Sequence, residues 1–372
     1  MVNLMNCVGL PAFFFNARGI VKKPVIGYPR CSSLTLSKGT ARSSFNIPIL
    51  DASELLPMCN RSKPAVLKGS WPNFNCEAWC NAMLEDLGET SVDFQVRRSD
   101  DGSTELFSSS LSDFLEGLQE ESTHIESWYL LDEHILDLPH ARTELRTGLD
   151  LPETLLLKDE FEYFPPEVRP QKLCLIVGGE GARSFLHSDP MEWTGWNLLL
   201  EGRKLWTFLP PEPSFNTELG TYRLPPNAFG AHNISAGWQS PIDLYRRRED
   251  GGEVKAQWPH ETGGEAVMPR AVSFVQEAGD IVFIPPRFWH QVYHLEPSIA
   301  VASQFMDEYV RKNVFRHILE WTGACENDLC PGFSKLPVQE QVREVLRVAF
   351  VARYGSVKGL RTWSSLSWGH CL

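Results

Sequence analysis

The stretch that decides the fold is FLHSDPMEWTGWNLLLEGRKLWTFLPP, residues 185–211. It carries two apolar runs, Trp196–Leu200 and Lys204–Leu209, with Glu-Gly-Arg between them. Runs of this length bounded by Gly and Pro read as β-strands joined by a tight hairpin-like turn. Just before them stand His187 and Asp189, two residues apart. On a strand, residues i and i+2 project to the same face, so an imidazole and a carboxylate can converge on one ion.

Other strand-like segments surround this block. Pro64–Lys68, Trp128–Leu131 and Leu173–Gly178 precede it, and Ala271–Gln276, Asp280–Ile284, Trp289–Leu295 and Ser298–Phe305 follow. Many short strands with turn signals predict a barrel or sandwich. Helices are predicted over Cys76–Leu87 and Leu111–Leu118. Two more follow residue 305, one with Val310, Val314, Phe315 and Ile318 on a single face, the other with Val338, Val342, Val345 and Ala349. These C-terminal helices could cover one end of the barrel or mediate a homodimer.

Two His and one carboxylate on one face of an octahedron make the facial triad of non-haem Fe(II) oxygenases, which leaves three positions open. Two of these suit a bidentate 2-oxo acid and one suits O2. The third ligand must come from the later block GDIVFIPPRFWHQVYHL, residues 279–295, which offers His290 and His294. His290 follows the Pro-Pro turn and the pair Phe288-Trp289. Taken alone, H-x-D is also what a surface Asx-Pro turn looks like, as in Asp189-Pro190. Lys204 among apolar neighbours either meets an anion or lies on the solvent side of its strand. Both readings stand at the level of spacing.

Together the two blocks resemble JmjC-domain oxygenases of the cupin superfamily, most of all the smaller hydroxylases of the arginine-demethylase and lysyl-hydroxylase type. The resemblance runs from KPAVLKG at 63–69 to Phe305, and the blocks match the family's H-x-D-P, W-N, G-x-K-x-W and P-x-x-W-W-H spacing. It implies a double-stranded β-helix, a jelly-roll barrel, with N-terminal α/β elements and C-terminal helices. It also implies iron on His187, Asp189 and His290, with Lys204 on the distal carboxylate of 2-oxoglutarate. Asn197, Tyr129 of WYLLD and Ser184, where the family often has Thr, would contact the same cosubstrate. One position departs: near the end of SIAVASQF, where relatives often place Thr, this chain has Ala302, with Ser303 on the other face. The implied reaction uses O2 and 2-oxoglutarate, gives succinate and CO2, and hydroxylates a protein side chain. Hydroxylation on an N-methyl carbon would instead make the enzyme a lysine or arginine demethylase. A non-catalytic cupin-like binding protein is the alternative of a different class.

The remaining sequence bounds the partners. Hydrophobic residues make up 42% and charged residues 22% of the 372, enough apolar content for a sizeable core. No apolar run reaches the ~18 residues of a membrane-crossing helix, so no membrane partner is expected. Residues 1–50 carry six basic residues and no acid, leaving 29 basic against 47 acidic residues, or −18, on the rest. Such a body is a poor match for phosphate backbones, so no direct DNA binding is expected. It favours encounter with a Lys- or Arg-rich peptide.

Residues 1–46 suit an organellar transit peptide, and a structureless N-terminus fits equally well. Plastid or mitochondrion and nucleus or cytoplasm therefore both stay open. Residues 47–305 form the expected oxygenase domain, interrupted by a long Pro- and Gly-rich insertion over 210–270, and 306–372 a helical segment. Substrate choice is expected to lie in that insertion, in the C-terminal helices and at Trp193, which either lines the substrate cleft or packs in the core. Arg246–Arg248 reads as a solvated charge run. Nine scattered cysteines suit a reducing compartment. Cys76, Cys80, Cys325 and Cys330 could make a zinc site of unusual spacing, but helix packing explains the first pair more simply.

Overall fold

The computed structural model describes residues 63–69, 74–98, 104–120, 126–149, 159–211, 243–245 and 271–355, and the backbone of short strands at 49–50, 214–217, 220–223 and 238–240. Residues 1–48, most of the 210–270 insertion and residues 356–372 lie outside this set, and with them the transit-peptide reading and Arg246–Arg248.

In chain order the strands are β1 (Ile49–Leu50), β2 (Ala65–Leu67), β3 (Ser91–Arg98), β4 (Thr104–Ser110), β5 (Glu126–Asp132), β6 (Cys174–Gly178), β7 (Leu186–Ser188) and β8 (Thr194–Glu201). They continue with β9 (Arg203–Leu209), β10 (Ser214–Thr217), β11 (Gly220–Arg223), β12 (Trp238–Ser240), β13 (Val272–Glu277), β14 (Ile281–Ile284), β15 (Trp289–His294) and β16 (Ser298–Phe305). The longer helices are α1 (Cys76–Leu87), α2 (Leu111–Glu120), α3 (Arg311–Thr322) and α4 (Val338–Tyr354).

A nine-stranded sheet, in the order β1-β2-β14-β8-β16-β6-β5-β3-β4, faces a five-stranded sheet, in the order β12-β7-β15-β9-β13. This is the expected jelly roll, with its two sheets not joined at their edges among the described residues. Among the described residues all pairings are antiparallel except β1 with β2.

Strands β8 and β9 do not form the hairpin that Glu-Gly-Arg suggests. β8 pairs with β14 and β16, whereas β9 pairs with β13 and β15. Gly202 is therefore an arch between the layers. It sits at φ 81, and a Cβ there would come within 2.2 Å of the Pro297 carbonyl oxygen. Only glycine suits that combination. Chain crossings at 278–280 and 295–297 repeat the pattern, so β13 to β16 alternate between sheets.

This alternation explains why β8 is buried on both faces, with only Glu201 exposed. Trp196, Leu198 and Leu200 point to the outer core with Trp79, Met83 and Leu87 of α1 and Leu111 and Phe114 of α2. Asn197 and Gly195 alternate with them and therefore face the space between the sheets. There Trp206, Phe208 and Val292 of the small sheet meet Val282 and Ile284 of the large one.

A second core forms around α3 and α4. Val314, Phe315, Ile318, Val342, Val345 and Ala349 are buried in it. The two helices pack on each other and on Met191 and Trp193, immediately after Asp189. Their apolar faces are thus spent on each other and on the segment that follows Asp189. No helix of the described residues is long and apolar enough to cross a membrane.

Candidate metal centre

Strand β7 is three residues long, and its sequence, Leu-His-Ser, has little intrinsic strand preference. Its shape comes from its neighbours. β12 pairs along its full length, and β15 meets it with His187 directly opposite His290. Asp189 follows at once. Its Oδ1 lies 3.7 Å from Nε2 of both His187 and His290. The imidazole centroids are 4.2 Å apart. The three ligand atoms lie within 4.8 Å of one another, close enough to converge on one ion, and two imidazoles with one carboxylate are the donor set of a facial triad. Among the described residues this is the only His/Cys/Asp/Glu group with such proximity.

The imidazoles are set up as ligands. Nδ1 of His187 lies 2.7 Å from the Phe185 carbonyl, and Nδ1 of His290 lies 3.1 Å from the Phe288 carbonyl. Donation from Nδ1 leaves the Nε2 lone pair for a metal. Burial drives the His290 pKa well below its ordinary value, and His187 adds to this, so the ring is neutral. Burial pushes the Asp189 carboxyl up, with His187 pulling the other way. A partly buried carboxylate with two imidazole nitrogens 3.7 Å from one of its oxygens suits a cation. Gly195 gives the carboxylate room, since a Cβ there would lie 3.1 Å from Asp189 Oδ2.

Backbone strain gathers at the same place. Among the described residues, the non-glycine residues with positive φ are Met191, Glu192 and Arg287. The first two follow Asp189 and the third precedes His290, and such conformations cost roughly 1–3 kcal/mol each. Glu192 ties these turns to α3. It bonds Arg316 at 3.0 Å and lies 3.4 Å from His317 Nε2 and 3.6 Å from Arg287. Burial works against its charge, but His317, Arg316 and Arg287 outweigh it and hold its carboxyl below the usual range.

Lys204 lies on the inward face of β9, opposite His294 of β15. It is 1% exposed, so the solvent-facing alternative does not hold. Among the described residues no carboxylate pairs with it. The adjacent Gln276 carries no charge to balance it; its Oε1 accepts from Trp206 and its Nε2 donates to the carbonyls of Asn197 and Asp280. Burial lowers the Lys204 pKa to about 7, with Cys174 opposing it. A buried ammonium in this condition is a site for an anion.

His294 stands beside it, neutral through burial and through the charge of Lys204. Its Nδ1 is 2.6 Å from Ser298 Oγ, and its ring meets Tyr129 edge-on at 5.8 Å. Burial raises the Tyr129 phenol pKa, so it stays a hydroxyl donor. Asn197 is buried, and its Oδ1 has no hydrogen-bond partner among the described residues.

The other expected contacts fall as follows. Ser184 Oγ accepts the Val292 amide at 3.1 Å, so the hydroxyl braces β15. Ala302 pairs with Asn197 across β16 and β8, and Ser303 turns away to donate to the Lys172 carbonyl. Trp193 is a core aromatic rather than a cleft wall. It is 4% exposed and meets Phe161 edge-on in the α3–α4 core. The cysteine quartet is not assembled either. Cys76 and Cys80 lie 3.9 Å apart within α1, and Cys76 donates to the Leu200 carbonyl. His294, the other candidate for third ligand and four residues after His290 on the same strand face, stands opposite Lys204 rather than at the triad. Cys174 was not singled out by spacing.

A Cβ on Gly178 of β6 would sit 2.5 Å from the His294 ring. Gly178→Ala is therefore expected to displace the imidazole and cost roughly 1–3 kcal/mol, the usual price of overpacking. Chemical denaturation measures this. An unchanged midpoint would mean that His294 moves aside freely.

A family model described as a cupin-like domain matches residues 55–309. The chain belongs to the cupin-like domain family. Its curated relatives carry JmjC-type names. This cupin-like chain is 26% identical over 257 residues to the lysine-specific demethylase JMJ21 of Arabidopsis thaliana, covering 66% of the chain and 23% of that protein. It is 24% identical over 262 residues to the Arabidopsis thaliana arginine-specific demethylase JMJ22, covering 69% and 44%. It is 23% identical over 172 residues to the human 2-oxoglutarate and iron-dependent oxygenase JMJD4, covering 46% and 32%. The chain thus spans less than half the length of these relatives.

Proposed function

We propose that this chain is an Fe(II)- and 2-oxoglutarate-dependent dioxygenase that hydroxylates a protein side chain. The observation that carries this reading is the pairing of two charged sites. Two imidazoles converge on the Asp189 carboxylate, and one strand away a fully buried lysine has no carboxylate partner among the described residues. Iron and a 2-oxo dicarboxylate suit the two.

His187, Asp189 and His290 would hold the metal, with the two Phe carbonyls fixing the rings. Lys204 would bind the distal carboxylate, and the Tyr129 hydroxyl and Asn197 amide, both on the inner face, would orient it. The apolar wall of Trp206, Phe208 and Val292 excludes water from that pocket. Bound iron would supply the oxidative decarboxylation of 2-oxoglutarate by O2 to succinate and CO2, coupled to hydroxylation of a substrate C–H bond. The demethylase names of two relatives support a second reading, in which the hydroxylated carbon is an N-methyl group and formaldehyde leaves. The net acidic charge favours a Lys- or Arg-rich peptide in either case.

Mass spectrometry of peptides from cells carrying wild-type or His187→Ala protein separates these. A side chain that gains one oxygen atom only with the wild type is the expected result. Loss of a methyl group from Lys or Arg would establish the second reading. No difference, together with no succinate release from peptide pools, would leave a binding protein.

A further inference from the structure

We infer that the long insertion is part of the metal centre's support, and that Asp243 is the positioning residue through which it acts. This rests on the proposed metal site. The insertion's strand β12 lies against β7, with Gln239 opposite His187. Without β12, the strand that carries His187 would be the edge of the small sheet. Three residues later the chain reaches Asp243-Leu244-Tyr245, which lies on the outer face of that sheet, where Tyr245 packs on Leu205 and Tyr293.

Asp243 gathers four donors. Its Oδ2 accepts from Arg183 Nε at 2.8 Å and Arg97 Nη2 at 3.1 Å. Its Oδ1 accepts from Gln291 Nε2 at 3.0 Å and from the Tyr245 amide at 3.1 Å. Gln291 completes the clip by accepting the Leu244 amide at 2.7 Å and donating to the Ser184 carbonyl at 2.8 Å. Arg183 and Ser184 lead directly into β7 and His187. Gln291 is the residue after His290. One carboxylate thus joins the two segments that carry the imidazoles, with Arg97 of β3 as an outside anchor. Tyr245 seats the clip: it is fully buried, with its hydroxyl 2.7 Å from Thr207 Oγ1 and 3.2 Å from the Leu205 carbonyl.

Partners bonded directly to a ligand are worth roughly 10–100-fold in metal affinity, and Asp243, which acts one step further out through Arg183 and Gln291, is placed at the low end of that range. Asp243→Asn tests the idea with little change of shape. Its amide keeps one acceptor for Gln291 and Tyr245 but offers an NH2 where the two arginines donate. Co(II) titration of the metal-free full chain, by calorimetry and by visible absorption, is the readout. The expected result is a dissociation constant about tenfold higher and an altered cobalt spectrum. Asp243→Glu should recover part of the affinity. A constant within about twofold of wild type and an unchanged spectrum, whatever the melting temperature does, would overturn the inference. If Asp243→Asn fails to fold, Arg97→Gln removes one donor from a strand that carries no ligand, and the same two outcomes decide. Failure of the wild type to bind Co(II) would sink the metal reading itself, and this inference with it.

Discussion

Lys204→Met is expected to weaken 2-oxoglutarate binding by ~100-fold or more and, at the same time, to raise the melting temperature of the cosubstrate-free protein. The two effects have one cause. The ammonium is buried beside a neutral His294, and among the described residues no carboxylate balances it. Loss of one partner from a buried charge pair costs about 2–5 kcal/mol. Without the anion the same charge is a burden. Its pKa falls from 10.5 to about 7, and at about 1.4 kcal/mol per unit this is on the order of 4 kcal/mol at neutral pH. Methionine fills most of the volume with no charge, so a net gain of ~2 kcal/mol, or roughly 5 °C, is expected after repacking. A variant that loses both affinity and stability would mean that Lys204 is already neutralised.

The same shift sets a pH dependence. Between pH about 7 and 10.5 the unfolded chain holds a proton on this lysine and the folded chain does not. The burden on stability is therefore complete below pH 7 and fades as pH rises through that window. Cosubstrate binding runs in the opposite sense, because it needs the charged form. Affinity should be greatest below pH 7 and fall by up to about tenfold per unit above it. Calorimetric titration across pH 6–9 measures this, and Lys204→Met should flatten the profile.

Asp189→Ala is expected to abolish metal binding and succinate release with little change in the stability of the metal-free fold. Asp189 Oδ1 is equidistant from both imidazoles, so the carboxylate both completes the triad and supplies its negative charge. Partners one step further out cost up to ~100-fold when removed, and a ligand should cost more. Burial already opposes the ionised form of Asp189, so the metal-free protein loses little when it goes. Metal retained at wild-type affinity would remove Asp189 from the site.

Much of this was legible in the sequence, and the limits have physical causes. Strands buried on both faces, such as β8 and β14, announce themselves as apolar runs. Helices α3 and α4 show in the periodicity of Val314 to Ile318 and Val342 to Ala349. β7 does not show, because its strand state is imposed by β12 and β15 rather than by its own residues. The hairpin of β3 and β4 was also missed. β4 is a polar, largely exposed edge strand, Thr-Glu-Leu-Phe-Ser-Ser-Ser, and resembles a Ser-rich connection. Gly202 looked like a hairpin turn because local sequence does not say which sheet the next strand joins. The face on which Lys204 points was undecided for the same reason. Asp243 lies in a stretch with no periodicity, and only tertiary contacts with Arg97, Arg183 and Gln291 give it meaning.

The central claim is that His187, Asp189 and His290 hold an iron that turns over 2-oxoglutarate bound to Lys204. Succinate release from 2-oxoglutarate under air, with Fe(II) and a pool of basic peptides, tests it most directly. The account predicts succinate formation that requires added Fe(II), stops with a chelator, and is absent in Asp189→Ala. Equal rates in wild type and Asp189→Ala, or no succinate from a wild type that has bound iron, would contradict it.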